Sequence, residues 1–263
     1  MAREAVPPMS RLPECLERDY GLVVGAFRPH PGGFESDCWV ADEAWFVKVW
    51  RSPRRPARLD LLQNLYAAGL PVPAPVPTVS GELHATWQGR PYAVFPYVHG
   101  HAQRDDEWRQ AAQALRAVHE LHAIDLPRTT MEEPDICRLG EHLDHPWLRG
   151  RSHEVAGSIS RLDATTKRAR AKAVRHVVCH RDFGGDNLLL AHGHVVAILD
   201  WEQAVTAPRE HDLWIAAELA DGESFLIEHG ARDLDLDHVE CSLLSRALRD
   251  MAARVLTDSD EQV

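Results

Sequence analysis

Cysteine is scarce in this sequence, with five in 263 residues. Cys15, Cys38, Cys137, Cys179 and Cys241 are scattered, odd in number and form no C-x-x-C pair. That pattern excludes a disulfide-stapled scaffold and a cysteine-based zinc site, and leaves reduced thiols as the expected state. Basic residues are also few, with 29 Lys and Arg against 40 Asp and Glu, a net charge of −11. A chain this acidic lacks the basic face that nucleic-acid binding requires. No apolar run approaches the ~20 residues of a membrane-spanning helix. The first ten residues hold Arg3, Glu4 and two prolines but no apolar core of a secretory signal. No membrane association and a cytoplasmic location are therefore expected. Low-complexity tracts and internal repeats are absent as well.

What is present is a globular composition, 44% hydrophobic and 26% charged. The chain is long enough for two modest lobes around a shared cleft. Residues up to about 98 read as strands. Apolar runs cover 22–27 and, after Gly32-Gly33, 34–40; Ala41-Asp42-Glu43 is a turn. In the β-branched and aromatic run 45–50, Phe46, Lys48 and Trp50 share one face, and Trp45, Val47 and Val49 the other. A helix over 57–68 carries the stripe Leu61, Leu62, Leu65 and stops at Gly69. Residues 70–75 hold three prolines and cannot stay helical. A strand follows over 92–98.

Beyond that point the period changes. Trp108, Ala112, Leu115, Val118 and Leu121 recur at spacings of three and four behind a cap at Asp105 or Asp106. Helices are also expected over 154–173, 208–220 and 240–256. An extended run covers 177–179, and a hairpin joins 188–190 to 195–199 around Ala191-His192-Gly193. The shift near residue 99 divides the chain into residues 1–98 and 99–263.

The informative stretch is His180-Arg181-Asp182-Phe183-Gly184-Gly185-Asp186-Asn187, followed by Ile198-Leu199-Asp200-Trp201-Glu202. Phosphoryl transfer needs hard oxygen ligands for magnesium. It also needs a carboxylate that orients the attacking hydroxyl and accepts its proton. The spacing Asp182-x4-Asn187 sets an acid and an amide at the two ends of a tight loop. The hairpin then returns the chain so that Asp200 ends a strand near that loop. Singly, Asp182 reads as a turn former, Asn187 as a cap and Asp200 as a solvated strand-ending acid. In this order the three point to phosphoryl transfer.

His180 to Asn187 resembles the catalytic loop shared by protein kinases and the aminoglycoside phosphotransferases. Where a protein kinase would carry Asp-Phe-Gly, this chain has Asp200-Trp201-Glu202, which looks like the antibiotic- and choline-kinase side of that superfamily. Pro208 with His211-Asp212-Leu213-Trp214 is similar to the next family segment, in which an Asp supports the catalytic loop. Leu121-His122-Ala123-Ile124-Asp125 resembles the end of a family helix. The resemblance spans roughly residues 20–220.

It implies an α+β, protein-kinase-like fold of two lobes: a nucleotide-binding lobe over 1–98, with an antiparallel sheet and one helix, and a mostly helical catalytic and substrate-binding lobe over 99–263. It also implies ATP and Mg²⁺, and a small-molecule hydroxyl acceptor, with a cationic aminoglycoside antibiotic first. By position, Asp182 is the catalytic base and Asn187 and Asp200 are the metal ligands. Lys48 reaches the phosphates, Gly32 and Gly33 let a loop approach them, and Phe95, Tyr97 and Val98 form the linker at the adenine. Choline, homoserine, sugar and macrolide kinases on the same fold are the alternatives, with a catalytically silent nucleotide-binding protein behind them.

The family expects a glutamate on the first helix to pair with the strand lysine, and none stands there. Asp60 is the nearest acid, so either it substitutes or Lys48 is oriented otherwise. His119-Glu120-Leu121-His122 has a spacing of three where a zinc helix needs four. Trp147, Trp201, Trp214, Asp221, Glu223 and Glu228 are candidates for the acceptor pocket. The oligomeric state is left open by the sequence.

Overall fold

The computed structural model describes residues 11–31, 36–53, 58–122, 124–129, 131 and 133–260. The chain divides into two compact units. Residues 1–103 and 185–202 make the first; 104–184 and 203–263 make the second.

The first unit opens with a helix that the sequence reading lacked, α1 (Leu12–Tyr20). Leu12, Cys15 and Leu16 recur at three and four, Pro13 suits the first turn, and Gly21 ends the helix at φ +68°. Five strands follow: β1 (Phe27–His30), β2 (Ser36–Ala41), β3 (Trp45–Trp50), β4 (Ala85–Trp87) and β5 (Arg90–Pro96), with α2 (Leu59–Ala67) between β3 and β4. They form one antiparallel sheet in the order β1-β2-β3-β5-β4. Val47 and Val49 of β3 are fully buried against Leu12 and Leu16 of α1 and Trp39 of β2. That is the face period-two alternation assigns them. On the other face Phe46 and Trp50 pack with Leu59, Leu62 and Phe95.

The expected hairpin lies in this unit too. Its strands are β8 (Leu188–Ala191) and β9 (His194–Ile198), and β8 also pairs with the short β6 (His101–Ala102). The Ile198 N–H donates to the Pro71 carbonyl at 2.7 Å. A Cβ on Gly100 would stand 3.0 Å from the Leu190 carbonyl, so glycine permits this close approach.

The second unit is helical, with α3 (Trp108–His119), α4 (Pro134–Glu141), α5 (Ser152–Arg170), α6 (Gly222–His229) and α7 (Leu236–Asp260). Its core joins Ile136 and Leu139 of α4, Val155 and Leu162 of α5, and Leu248 and Val255 of α7. A two-stranded antiparallel ribbon, β7 (His176–Cys179) with β10 (Val205–Pro208), completes it.

The helix expected over 208–220 is not there. Pro208 ends β10, and the chain continues as short 3-10 turns at Arg209–His211 and Leu213–Ala217. Leu213, Trp214 and Ile215 are consecutive and all buried, so the segment has no exposed stripe on which an amphipathic helix could rest. Among the described residues, no helix is long and apolar enough to cross a membrane.

Candidate active site

The loop after β7 is held by a buried carboxylate. Asp212, fully enclosed, accepts the backbone N–H of His180 at 2.8 Å and that of Arg181 at 2.6 Å. His119 of α3 reaches the same carboxylate through Nε2 at 3.0 Å. Since Asp212 only accepts, the Nε2 of a neutral His119 carries the proton, and its Nδ1 accepts from His229 Nε2 at 2.9 Å. Burial pushes the Asp212 carboxyl up, but the His119 bond, nearby His180 and the loop N–H groups outweigh it and hold the pKa below its ordinary value. Cys179 joins His119 and Asp212 in a buried trio whose ligand atoms lie within 4.8 Å of one another. The oxygens of Asp212 are already taken by the loop.

This anchoring shapes the residues around Asp182. Arg181 is left-handed at φ +71°, a conformation costing a non-glycine residue roughly 1–2 kcal/mol. The Asp182 N–H turns back to His180 Nδ1 at 3.2 Å. Its carboxylate, 36% exposed, takes Arg246 Nη1 of α7 at 3.1 Å. Arg246 in turn lies 3.6 Å from the centre of the Trp214 ring, with its Nε 3.7 Å from Glu218. Asp182 opens onto a cavity of about 450 Å³ lined by four arginines (Arg138, Arg181, Arg246 and Arg249), by Asp135 and Asp250, and by Gln203 and Leu256. None of the six residues expected from sequence to line an acceptor pocket lines this one. Trp214 only backs it through Arg246, Asp221 caps α6 by accepting the Ser224 N–H, and Glu228 accepts from Gln113.

The other expected residues belong to the first unit. Asn187 ends a 3-10 turn, and its carbonyl accepts the Leu199 N–H at 2.8 Å, which sets Asp200 one residue from that contact. Asp200 is left-handed at φ +58° and exposed. Trp201 next to it is buried and donates its indole N–H to the Ile198 carbonyl at 3.0 Å, so the flanking carboxylates of Asp200 and Glu202 face outward around an anchored ring.

Lys48 reaches this segment. Its Nζ lies 3.2 Å from Glu202 Oε1 and 5.2 Å from the centre of the Trp50 ring. Glu202, which the sequence reading left without a role, is the carboxylate at Lys48; Asp60 stands exposed in the first turn of α2. Phe95 is buried near the end of β5, and the Tyr97 N–H donates to the Ala44 carbonyl at 2.8 Å, with Tyr97 and Val98 half-buried. Gly32 and Gly33 lie outside the described residues.

The donor chemistry fits the groups that phosphoryl transfer uses. The Asn187 amide and Asp200 carboxylate offer hard oxygens of the kind Mg²⁺ takes, and Lys48 offers a point charge suited to phosphate. By fold, this chain is of the α+β class. It belongs to the phosphotransferase enzyme family (APH), whose sequence model matches residues 26–244.

Curated relatives include a homoserine kinase of Rhizobium etli (strain CIAT 652), 28% identical over 160 residues, or 56% of this chain and 47% of the relative. A homoserine kinase of Burkholderia mallei (strain SAVP1) is 27% identical over 206 residues, covering 68% of this chain and 59% of the relative. The chain thus spans about half, or somewhat more, of the length of these relatives.

Among solved structures, a spectinomycin phosphotransferase in complex with ADP and spectinomycin superposes with a TM-score of 0.76 at 19% identity, covering 93% of this chain and 86% of the other. An aminoglycoside phosphotransferase in ternary complex with ADP and hygromycin B gives a TM-score of 0.66 at 16% identity, covering 95% and 93%. At such identities the likeness speaks for the fold.

Proposed function

We propose that the protein moves the γ-phosphoryl group of ATP to a hydroxyl of a small molecule, with Asp182 as the base. The observation that carries this reading is the clamp of Asp212 on the loop backbone, which fixes Asp182 at the wall of a polar cavity. Such a group acts by position and charge. It holds the hydroxyl in line and takes its proton as the new P–O bond forms and the bond to the ADP oxygen breaks. Bound Mg²⁺ would neutralise phosphate charge, and Asn187 and Asp200 are the residues that would hold it. Lys48, kept in place by Glu202, would meet the phosphates, with Gly32 and Gly33 in the covering loop and Phe95, Tyr97 and Val98 at the adenine. A cytoplasmic location suits ATP use and five unpaired cysteines.

Two kinds of acceptor have support. Solved neighbours holding spectinomycin or hygromycin B support a cationic aminoglycoside. The homoserine kinases among the curated relatives support a small hydroxy amino acid. Four arginines at the cavity of Asp182 favour the second. An ADP-release assay with Mg-ATP across aminoglycosides, homoserine, choline and sugars tests the reading. Acceptor-dependent ADP release is expected, and none with any acceptor leaves a silent nucleotide-binding protein.

A further inference from the structure

Arg246 and Arg249 are three residues apart on α7, so both guanidinium groups project from one side of the helix into the cavity at Asp182. The other cations there have been answered. Arg246 holds Asp182, Arg181 holds Glu133 at 2.7 Å, and Arg138 lies 3.8 Å from Asp135. Arg249 is different. Its Nη1 donates to the neutral amide of Gln203 at 2.9 Å, its Nε is buried with no acceptor, and no carboxylate among the described residues pairs with it. Arg249 as a whole is half-buried, with Glu133 and Asp250 acting on it only through space, and an unmet N–H donor of this kind is costly to hold. Burial first, and then the charges of Arg181 and Arg246, push its pKa below the ordinary arginine value.

We infer that the acceptor carries a carboxylate, which seats on Arg249 beside Arg246 and thereby presents the acceptor hydroxyl to Asp182. The inference rests on the kinase reading above and adds the substrate class. A planar carboxylate matches the edge of a guanidinium and can take two parallel N–H donors, giving Arg249 the anionic partner that no described residue supplies within ion-pair distance. Arg246 has donors to spare beyond its bond to Asp182, so one side chain can touch both the base and the incoming anion. A polycation in the same cavity meets four arginines, against which Asp135, Asp182 and Asp250 are the opposing carboxylates. A neutral sugar leaves Arg249 as it is. A small hydroxy acid or hydroxy amino acid satisfies both the base and the arginine.

The test compares acceptors that differ only at the anion. ADP release is measured with L-homoserine and 4-hydroxybutyrate, with their methyl esters, and with spectinomycin and hygromycin B, on the parent, Arg249→Gln, Arg249→Lys and Asp182→Asn. The expected result is at least a tenfold preference for an acid over its ester and no use of the antibiotics. Arg249→Gln should raise the acceptor KM by tenfold or more at an unchanged KM for ATP, with Arg249→Lys recovering part of the loss. Melting temperatures with and without L-homoserine show whether Arg249→Gln is folded and whether it has lost the acid's stabilisation.

An ester or antibiotic used as well as the acid, an unchanged acceptor KM in Arg249→Gln, or an acid that gives neither turnover nor a thermal shift overturns the inference. The kinase reading fails separately, if Asp182→Asn matches the parent on whichever acceptor is used.

Discussion

Arg246 binds the carboxylate of Asp182 at 3.1 Å while its guanidinium lies face-on to Trp214 at 3.6 Å. Asp182 therefore has a fixed cationic neighbour on a ring that limits where that cation can go. A carboxylate held in this way keeps its direction, which is what a late proton acceptor in a loose phosphoryl transfer would contribute.

Asp182→Asn keeps the size of the side chain and removes its charge and basicity. Turnover should fall by about 10²–10⁴-fold, the usual contribution of a general base. ATP affinity should change little. Turnover, ATP binding and melting temperature measured on one preparation check this. Turnover within a few-fold of the parent would mean that Asp182 only shapes the loop.

The metal assignment has its own readout. Mg²⁺ and ATP together should raise the melting temperature more than either does alone, because a ligand bound only to the native state stabilises it. Asp200→Ala should remove the magnesium-dependent part of the rise. A variant that responds to Mg-ATP as the parent does would remove Asp200 from the metal site.

Lys48 and Glu202 should behave as one unit. Both are partly exposed, so their contribution to folding is small, about 0–1 kcal/mol for a surface pair, and the effect should fall on ATP use. Lys48→Ala and Glu202→Ala should each raise the KM for ATP, and the double variant should add little to either. Asp60→Ala should add independently. Additive losses for Lys48 and Glu202, or coupling of Lys48 to Asp60, would reverse the assignment.

Acid should unfold this protein through two buried imidazoles. Burial first, then Arg181 and His238, lower the pKa of His211 to about 3; burial first, then His119 and Arg209, lower that of His229 to about 3. Unfolded, each titrates near 6.5. Between these limits the unfolded chain binds more protons, so stability rises with pH through this window and is lost as pH falls towards 3. Each group contributes up to about 1.4 kcal/mol per pH unit. Below the ordinary carboxylate range Asp212 adds a loss of the same sign. Urea unfolding at pH 7, 6, 5 and 4 checks the slope, and a flat profile would show that both imidazoles accept protons in the folded state.

The hairpin between Asn187 and Asp200 was legible because its two strands are neighbours in the chain, residues 188–191 and 194–198. The face of β3 that carries Lys48 was legible for a similar reason, since alternation over six residues decides it. The α1 helix had its signal too, in Leu12, Cys15, Leu16 and Gly21, but the span is short and mostly polar outside that stripe. What spacing could not supply was partnership over distance. Glu202 reads as one more turn acid until the hairpin returns it to Lys48, 154 residues earlier. Arg246 and Arg249 read as ordinary charges on a long helix, and only packing shows that they face Asp182. Over 208–220, helix propensity lost to the consecutive burial of Leu213, Trp214 and Ile215 and to strand pairing at Pro208.

The first unit is closed by a late piece of chain. Residues 185–202 supply both partners of the sheet that β6 begins, and Ile198 supplies the donor for Pro71. On a ribosome, the segment to Gln103 therefore emerges with part of its hydrogen bonding still to come, and waits for about a hundred more residues of synthesis. The intervening stretch includes α3, α4, α5 and β7, which must take shape or stay out of the way during that interval. A nascent chain stalled with Gln103 but not Gly185 clear of the exit tunnel should be protease-sensitive around β6 and Pro71, and one stalled with Glu202 clear of it should not.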